Sequence, residues 1–226
     1  MVQQKMADYS NDNKRLIEAV GKIGVVPLIT LKSAGEAIPL VGALVDGKIP
    51  VAEVTFRSPY ALEGMRRVHE RFPDAILVAG TVRSVEQAKQ SVEAGCSGIV
   101  TPFFDEEIVD WCLEHDVLIL PGTATPYDVG KAFECGLRYV KFFPAQAYGG
   151  VNTLKALAGP FPEMHFLPTG GVDLGNAAQY IGQKNVFAIG GSFAVPSSCH
   201  EANDWPGITD TCLEARAIVD AVLRNK

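Results

Sequence analysis

The residues able to do covalent chemistry sit in short motifs far apart in the chain. Lys141 is the most informative of them, in the run Val140-Lys141-Phe142-Phe143-Pro144. Bulky apolar neighbours desolvate an amine and favour its neutral, nucleophilic form, which suits attack on a carbonyl carbon. A lysine whose stem packs on apolar surface while its head reaches water would carry the same local sequence. A second motif is Glu53-Val54-Thr55-Phe56-Arg57. In a strand, period two directs Glu53, Thr55 and Arg57 to one face. Charges turned inward together need each other or a ligand, because an unpaired buried charge is costly. A purely structural ion pair is the plain alternative. Two glycine pairs, Thr169-Gly170-Gly171 and Gly190-Gly191-Ser192, could bring backbone N–H groups close to an anion. Turns need glycine in any case, so each pair alone says little.

Other chemistries find no support. His69, His115, His165 and His200 are dispersed, with no carboxylate partner or Ser/Cys nucleophile at a recognisable spacing, and there is no GxSxG or HExxH motif. Cys112 and His115 stand three apart, but no second pair completes a metal site, so neither metal nor cofactor is expected. The five cysteines are odd in number and form no CxxC pair, which reads as reduced thiols in a cytoplasmic protein. Trp111 and Trp205 read as packing residues; Gln146 and Tyr148 either line a site or fill a loop. With 20 basic against 26 acidic residues the net charge is −6, and no Lys/Arg-rich run offers a stripe to nucleic acid. Apolar runs such as 117–120 and 186–189 fall far short of the roughly 20 residues that span a bilayer. Residues 1–15 are polar and carry no readable secretory signal.

The elements that must position these residues follow from rhythm. Short β-branched runs alternate with segments of helical period, punctuated by glycine and proline. Strands are expected at 25–29, 51–56, 76–79, 98–101, 117–120, 139–142, 165–168 and 186–189. Helices are expected near 13–21, 34–46, 58–72, 84–94, 105–115, 125–135, 151–158, 174–181 and 208–224. Ser84, Asp105 and Asp173 read as helix N-caps; Gly47, Gly95 and Gly136 read as C-terminal stops. Eight strand–helix units in 226 residues, about 28 residues each, suit a lean (β/α)8 TIM barrel forming a single domain over 1–226, with an N-terminal helix and a flexible extension at 1–12. A doubly wound sheet uses the same alphabet, but no GxGxxG follows the first strand. In such a barrel the strand ends share one rim, and those ends carry Glu53 to Arg57, Gly80-Thr81, Thr101-Pro102, Pro121 to Thr123, Lys141 to Pro144 and both glycine pairs. The glycine pairs after strands seven and eight stand where barrels commonly bind phosphate.

Together the motifs Glu53-Val54-Thr55-Phe56-Arg57, Ala79-Gly80-Thr81-Val82, Val140 to Ala145, Pro168 to Gly171 and Ile189 to Ser192 resemble the 2-keto-3-deoxy-6-phosphogluconate (KDPG) / 4-hydroxy-2-oxoglutarate (KHG) aldolase family. The resemblance spans residues 24–197, in the family's order and spacing. It implies a class I aldolase on a (β/α)8 barrel, assembled as a homotrimer, using neither metal nor cofactor and taking a phosphorylated keto acid. It further implies that Lys141 forms the Schiff base and that Glu53 is the general acid/base. Arg57 and Thr81, helped by Thr169, would contact the substrate carboxylate. Pro102 and Phe143 would shape the pocket, and Gly170, Gly171, Gly191 and Ser192 would hold the phosphate. Relatives acting on the galactonate epimer depart from the Thr55/Arg57 pattern, so its presence here favours the gluconate substrate, with KHG cleavage as a side activity. Two rivals stay open on residues alone. One is a phosphate-binding isomerase or synthase on the same barrel, which has no use for a lysine in an aromatic pocket. The other is a non-catalytic phosphosugar-binding barrel, which has no reason to bury a nucleophile beside a proton shuttle.

Overall fold

A computed structural model describes residues 9–224. In chain order the elements are α1 (Asn11–Ile23), β1 (Val25–Ile29), α2 (Ala37–Asp46), β2 (Val51–Thr55), α3 (Ala61–Arg71), β3 (Ile76–Gly80), α4 (Val85–Glu93), β4 (Gly98–Val100), α5 (Glu106–Glu114), β5 (Leu118–Leu120), β6 (Gly122–Thr123), α6 (Pro126–Glu134), β7 (Tyr139–Phe142), α7 (Gly150–Leu157), β8 (His165–Pro168), α8 (Ala177–Ile181), β9 (Ile189–Gly191), α9 (Ser197–Ala202) and α10 (Trp205–Leu223). Short 3-10 turns occupy Ala34–Glu36 and Ser192–Ala194.

All strand pairs are parallel, in a curled six-stranded sheet of order β5-β4-β3-β2-β1-β9 and a three-stranded sheet of order β6-β7-β8. The continuous eight-stranded ring expected from the alternation is therefore not what the ladders draw. Proline has no N–H to give a ladder, and at Pro121 the fifth run splits: Leu120 pairs with Val100 in β4, whereas Gly122 pairs with Lys141 in β7. At the other seam, β9 begins at Ile189 rather than 186, and only single bridges, Phe166 with Val186 and Thr169 with Gly190, link it towards β8.

Strands buried on both faces read as continuous apolar runs, and β2 is buried at all five positions. The far end of the sheet is plugged by α1. Its Ser10 cap accepts the Asn13 N–H at 3.1 Å, and Asn13 Nδ2 reaches the Asp116 carbonyl at 3.1 Å, before β5. Ile17 and Val20 of α1 then close an apolar floor with Val26, Val51 and Leu167 around a void of about 10 Å3. The expected extension at 1–12 falls partly outside the described residues, at 1–8; Asn11 and Asp12 already belong to α1.

Ser84 and Asp105 cap α4 and α5 by accepting the Gln87 and Ile108 N–H groups at 3.2 and 3.0 Å. Asp173 is a correction. It exchanges side-chain bonds with Asn176, each 2.9 Å, closing a turn before α8, and Asn176 takes the N-cap position. Also unforeseen are α9 and the earlier start of α10 at Trp205, where Asp204 accepts the Gly207 N–H at 3.0 Å.

Candidate active site

Glu53, in the middle of β2, is 0% exposed, and Lys141, in β7, is 4% exposed. Lys141 Nζ lies 3.1 Å from Glu53 Oε1, across 88 residues of sequence. The other carboxylate oxygen, Glu53 Oε2, is buried with no partner among the described residues. Buried polar atoms are nearly always satisfied, so this oxygen is left to accept a hydrogen bond from a group outside the protein.

The backbone fixes both groups. Lys141 N–H donates to the Pro121 carbonyl at 2.9 Å, and Thr123 Oγ1 donates to the Lys141 carbonyl at 2.9 Å. The split at Pro121 thus seats the lysine. On the adjacent strand β3, Gly80, whose register partner is Thr55, is required by close approach: a Cβ there would lie 2.4 Å from Glu53 Oε1 and 2.6 Å from its Cγ.

Sequence periodicity set Glu53 and Arg57 on one face as possible partners, but the geometry separates them. Glu53 takes Lys141, and among the described residues Arg57 pairs with no carboxylate. Arg57 is exposed, its Nε donating to Thr55 Oγ1 at 3.3 Å. Thr55 is held in turn by the Ile29 carbonyl at 3.0 Å and by Thr30 Oγ1 at 2.9 Å. The guanidinium ends are therefore free to meet an anion at the rim. Thr81, next along, has φ 56°, a left-handed backbone that threonine rarely adopts. Such strain collects at functional sites because the surroundings must hold it.

Across the rim, Thr169 is buried and packs so tightly on Gly190 that a Cβ there would fall 2.4 Å from Thr169 Oγ1. Gly170 and Gly171 have φ 93° and 81°. The Thr169 and Gly170 carbonyls accept from Ala145 and Gln146 at 2.8 and 2.9 Å, and the Gly171 carbonyl accepts from Asn176 at 2.8 Å. Their oxygens are thereby tied back, while the N–H groups of Gly170 and Gly171 donate to no acceptor among the described residues. Gly191 is the buried last residue of β9 on the neighbouring rim, and Ser192 follows it, exposed.

Pro102 and Phe143 share a cleft of about 280 Å3 with Phe103, Gly122, Thr123 and Tyr148. Lys141 and Glu53 do not line it, although Nζ lies 5.5 Å from the Phe143 ring centre. Thr101 holds this wall, bonding the Phe103 carbonyl and accepting the Gly122 N–H at 3.2 Å. Gln146 accepts from Tyr180 at 2.8 Å and backs Gly171, while Tyr148 is exposed on the cleft. Sequence reasoning missed Gly80, Thr101 and Thr123 as supports; threonine and glycine recurring at strand ends was the available signal. No group of three His, Cys, Asp or Glu among the described residues could hold a metal, and no helix there is long and apolar enough to cross a membrane.

Fold and site define the class: an α/β enzyme of parallel strands with a buried amine and carboxylate paired between β7 and β2. Residues 16–211 match the model of the family described as KDPG and KHG aldolase, and the chain belongs to that family of lyases. It is 40% identical to a 2-dehydro-3-deoxy-phosphogluconate aldolase of Treponema pallidum, covering 90% of this chain and 97% of the relative. It is 39% identical to a KHG/KDPG aldolase of Escherichia coli K12, over 84% of this chain and 90% of that one. Among solved structures it resembles a KDPG aldolase from Legionella pneumophila with pyruvate captured at low pH as a covalent carbinolamine intermediate. That match has a TM-score of 0.85 and 34% identity, and covers 88% of this chain and 97% of the other.

Proposed function

We propose that this protein is a metal-independent class I aldolase that cleaves KDPG to pyruvate and glyceraldehyde 3-phosphate, and KHG to pyruvate and glyoxylate at the same site. The observation that carries the reading is the buried Lys141–Glu53 contact of 3.1 Å with Glu53 Oε2 unpartnered.

Breaking a C–C bond two carbons from a carbonyl needs an electron sink. Lys141 passes a proton to Glu53 across their hydrogen bond and attacks the substrate C2. Glu53 returns a proton to the departing hydroxyl, water leaves, and a protonated imine remains. Glu53 then takes the proton of the C4 hydroxyl, the C3–C4 bond breaks, and its electron pair moves through C3 onto the iminium nitrogen as an enamine. Protonation of C3 and hydrolysis of the imine release pyruvate and the free amine. General acid–base help of this type is worth about 10²–10⁴ in rate.

Arg57, Thr81 and Thr169 receive the carboxylate; Pro102 and Phe143 shape the apolar wall; the N–H groups of Gly170 and Gly171, with Gly191 and Ser192, receive the phosphate. Since the chain carries a net charge of −6, attraction for this anionic substrate is local. Retention of Thr55 and Arg57 supports the gluconate epimer. The same reading closes the two sheets into one eight-stranded barrel, supported by the Lys141–Pro121 bond and the two single bridges at the β8–β9 seam. It also includes a homotrimer in the cytoplasm, supported by kinship and by the five free cysteines.

Incubation with pyruvate and borohydride followed by peptide mass spectrometry tests the chemistry. A reduced pyruvate adduct on Lys141 is the expected result; folded protein without an adduct overturns it. Sedimentation velocity tests the assembly, with three chains' mass expected and one chain's mass refuting it.

A further inference from the structure

The segment that follows Ser192 is fastened to the rest of the molecule in an unusual way. Its helix α9 has only six residues, and none of its side chains is fully buried. So short a helix is not stable by itself; Ala194 and Val195 ahead of it are buried and Cys199 packs on the core, and a polar tie adds to these anchors. His200, in α9, presents Nε2 to Glu36 Oε1 at 3.1 Å. Glu36 is 7% exposed and ends the 3-10 turn after β1. Its carboxylate also accepts the Lys32 N–H and faces Lys32 Nζ at 3.6 Å. Lys32 Nζ in turn donates to the His200 carbonyl and, at 3.2 Å, to Asn203 Oδ1. The tie thus joins the loops after β1 and β9, which are neighbours in the sheet, with Pro27 opposite Gly191.

We propose that Glu36 and His200, bridged by Lys32, are positioning residues for the phosphate end of the site. By pinning α9 eight residues beyond Ser192, they hold the Gly191–Ser192 turn against the Gly170–Gly171 turn and set the preference for phosphorylated keto acids. This rests on the aldolase reading and extends it. Neither residue touches the reacting atoms, and Lys141 and Glu53 lie on β7 and β2, away from the loops after β1 and β9 that the tie joins. A charge-assisted hydrogen bond buried in this way is among the stronger polar contacts, and its loss loosens one wall of the anion site alone.

The test compares His200→Ala, His200→Gln and Glu36→Gln in KDPG cleavage and in proton exchange at the methyl of pyruvate, which has no distal anion. His200→Ala is expected to raise KM for KDPG about 5- to 10-fold, the scale of one such bond, with kcat and pyruvate exchange within about twofold. His200→Gln, which keeps an N–H donor, is expected to restore most of the loss. An unchanged KM for KDPG, or equal losses in KDPG cleavage and pyruvate exchange, overturns the proposal. Should His200→Ala fail to fold, Glu36→Gln gives the same two readouts with the side-chain volume kept. If the wild type forms no pyruvate adduct, the aldolase reading fails separately. Calorimetric binding of inorganic phosphate then decides the tie: weaker binding in His200→Ala supports it and equal binding refutes it.

Discussion

Substituting Gly80 by alanine tests the catalytic geometry without touching either reacting group. The new Cβ would lie 2.4 Å from Glu53 Oε1, whereas ordinary contact begins at 3.4 Å, so the carboxylate must retreat by 3.4 − 2.4 = 1.0 Å. Its hydrogen bond to Lys141 is now 3.1 Å, and a displacement of that size away from the amine would stretch it to about 4 Å, beyond hydrogen-bonding range. A misplacement of about 1 Å in a reacting group costs on the order of 10²-fold in rate, or about 2.7 kcal/mol of barrier. Overpacking of the strand should lower stability by about 1–3 kcal/mol. Pyruvate release from KDPG, followed through NADH oxidation by lactate dehydrogenase, should show kcat falling about 100-fold while KM moves by less than about threefold. Urea titration of the same sample checks that the protein is folded. A folded Gly80→Ala protein with kcat within about threefold of wild type would falsify the claim that Gly80 places Glu53 for proton transfer.

Lys141→Ala should abolish both cleavage and the borohydride-trapped adduct while leaving the far-ultraviolet circular dichroism intact; residual turnover above about 10⁻³ of wild type would refute the imine route. Arg57→Ala should raise KM for KDPG about 10- to 100-fold, as expected for a lost charged hydrogen bond. Because Arg57 is exposed, stability should change by less than about 0.5 kcal/mol, and an unchanged KM would remove Arg57 from the site. Burial pushes the thiols of Cys96, Cys112 and Cys212 up from 9.0 to about 12. The native state then holds these protons more tightly than the unfolded state, so their contribution to stability is complete below pH 9 and is lost as pH rises towards 12. Denaturation midpoints should fall across that window, and iodoacetamide at pH 8 should leave all three thiols unmodified until the protein unfolds.

Much of this protein was legible in one dimension. Strand runs such as 51–55 and 139–142 are marked by apolar, β-branched residues between turn signals, because strands buried on both faces need that composition. Lys141 stood out because a lysine among phenylalanines is chemically anomalous, and the rim could be assembled because parallel strand–helix repeats put every strand's end on the same side. These properties are local, or repeat with the chain, so sequence by itself determines them. Partnership across the sheet is not local. Period two assigns Glu53 and Arg57 to one face, but only the placing of the three-stranded sheet beside the six-stranded one brings β7 near β2, so that Lys141 rather than Arg57 meets the carboxylate 3.1 Å away. The same holds for Gly80, whose missing Cβ matters only because a glutamate from the adjacent strand fills that space. It holds too for His200, which passes over its sequence neighbour Glu201 and finds Glu36 at 164 residues' separation. Contacts of this kind depend on how chain closure and packing bring distant segments within about 3 Å, and that was decided by the tertiary structure alone.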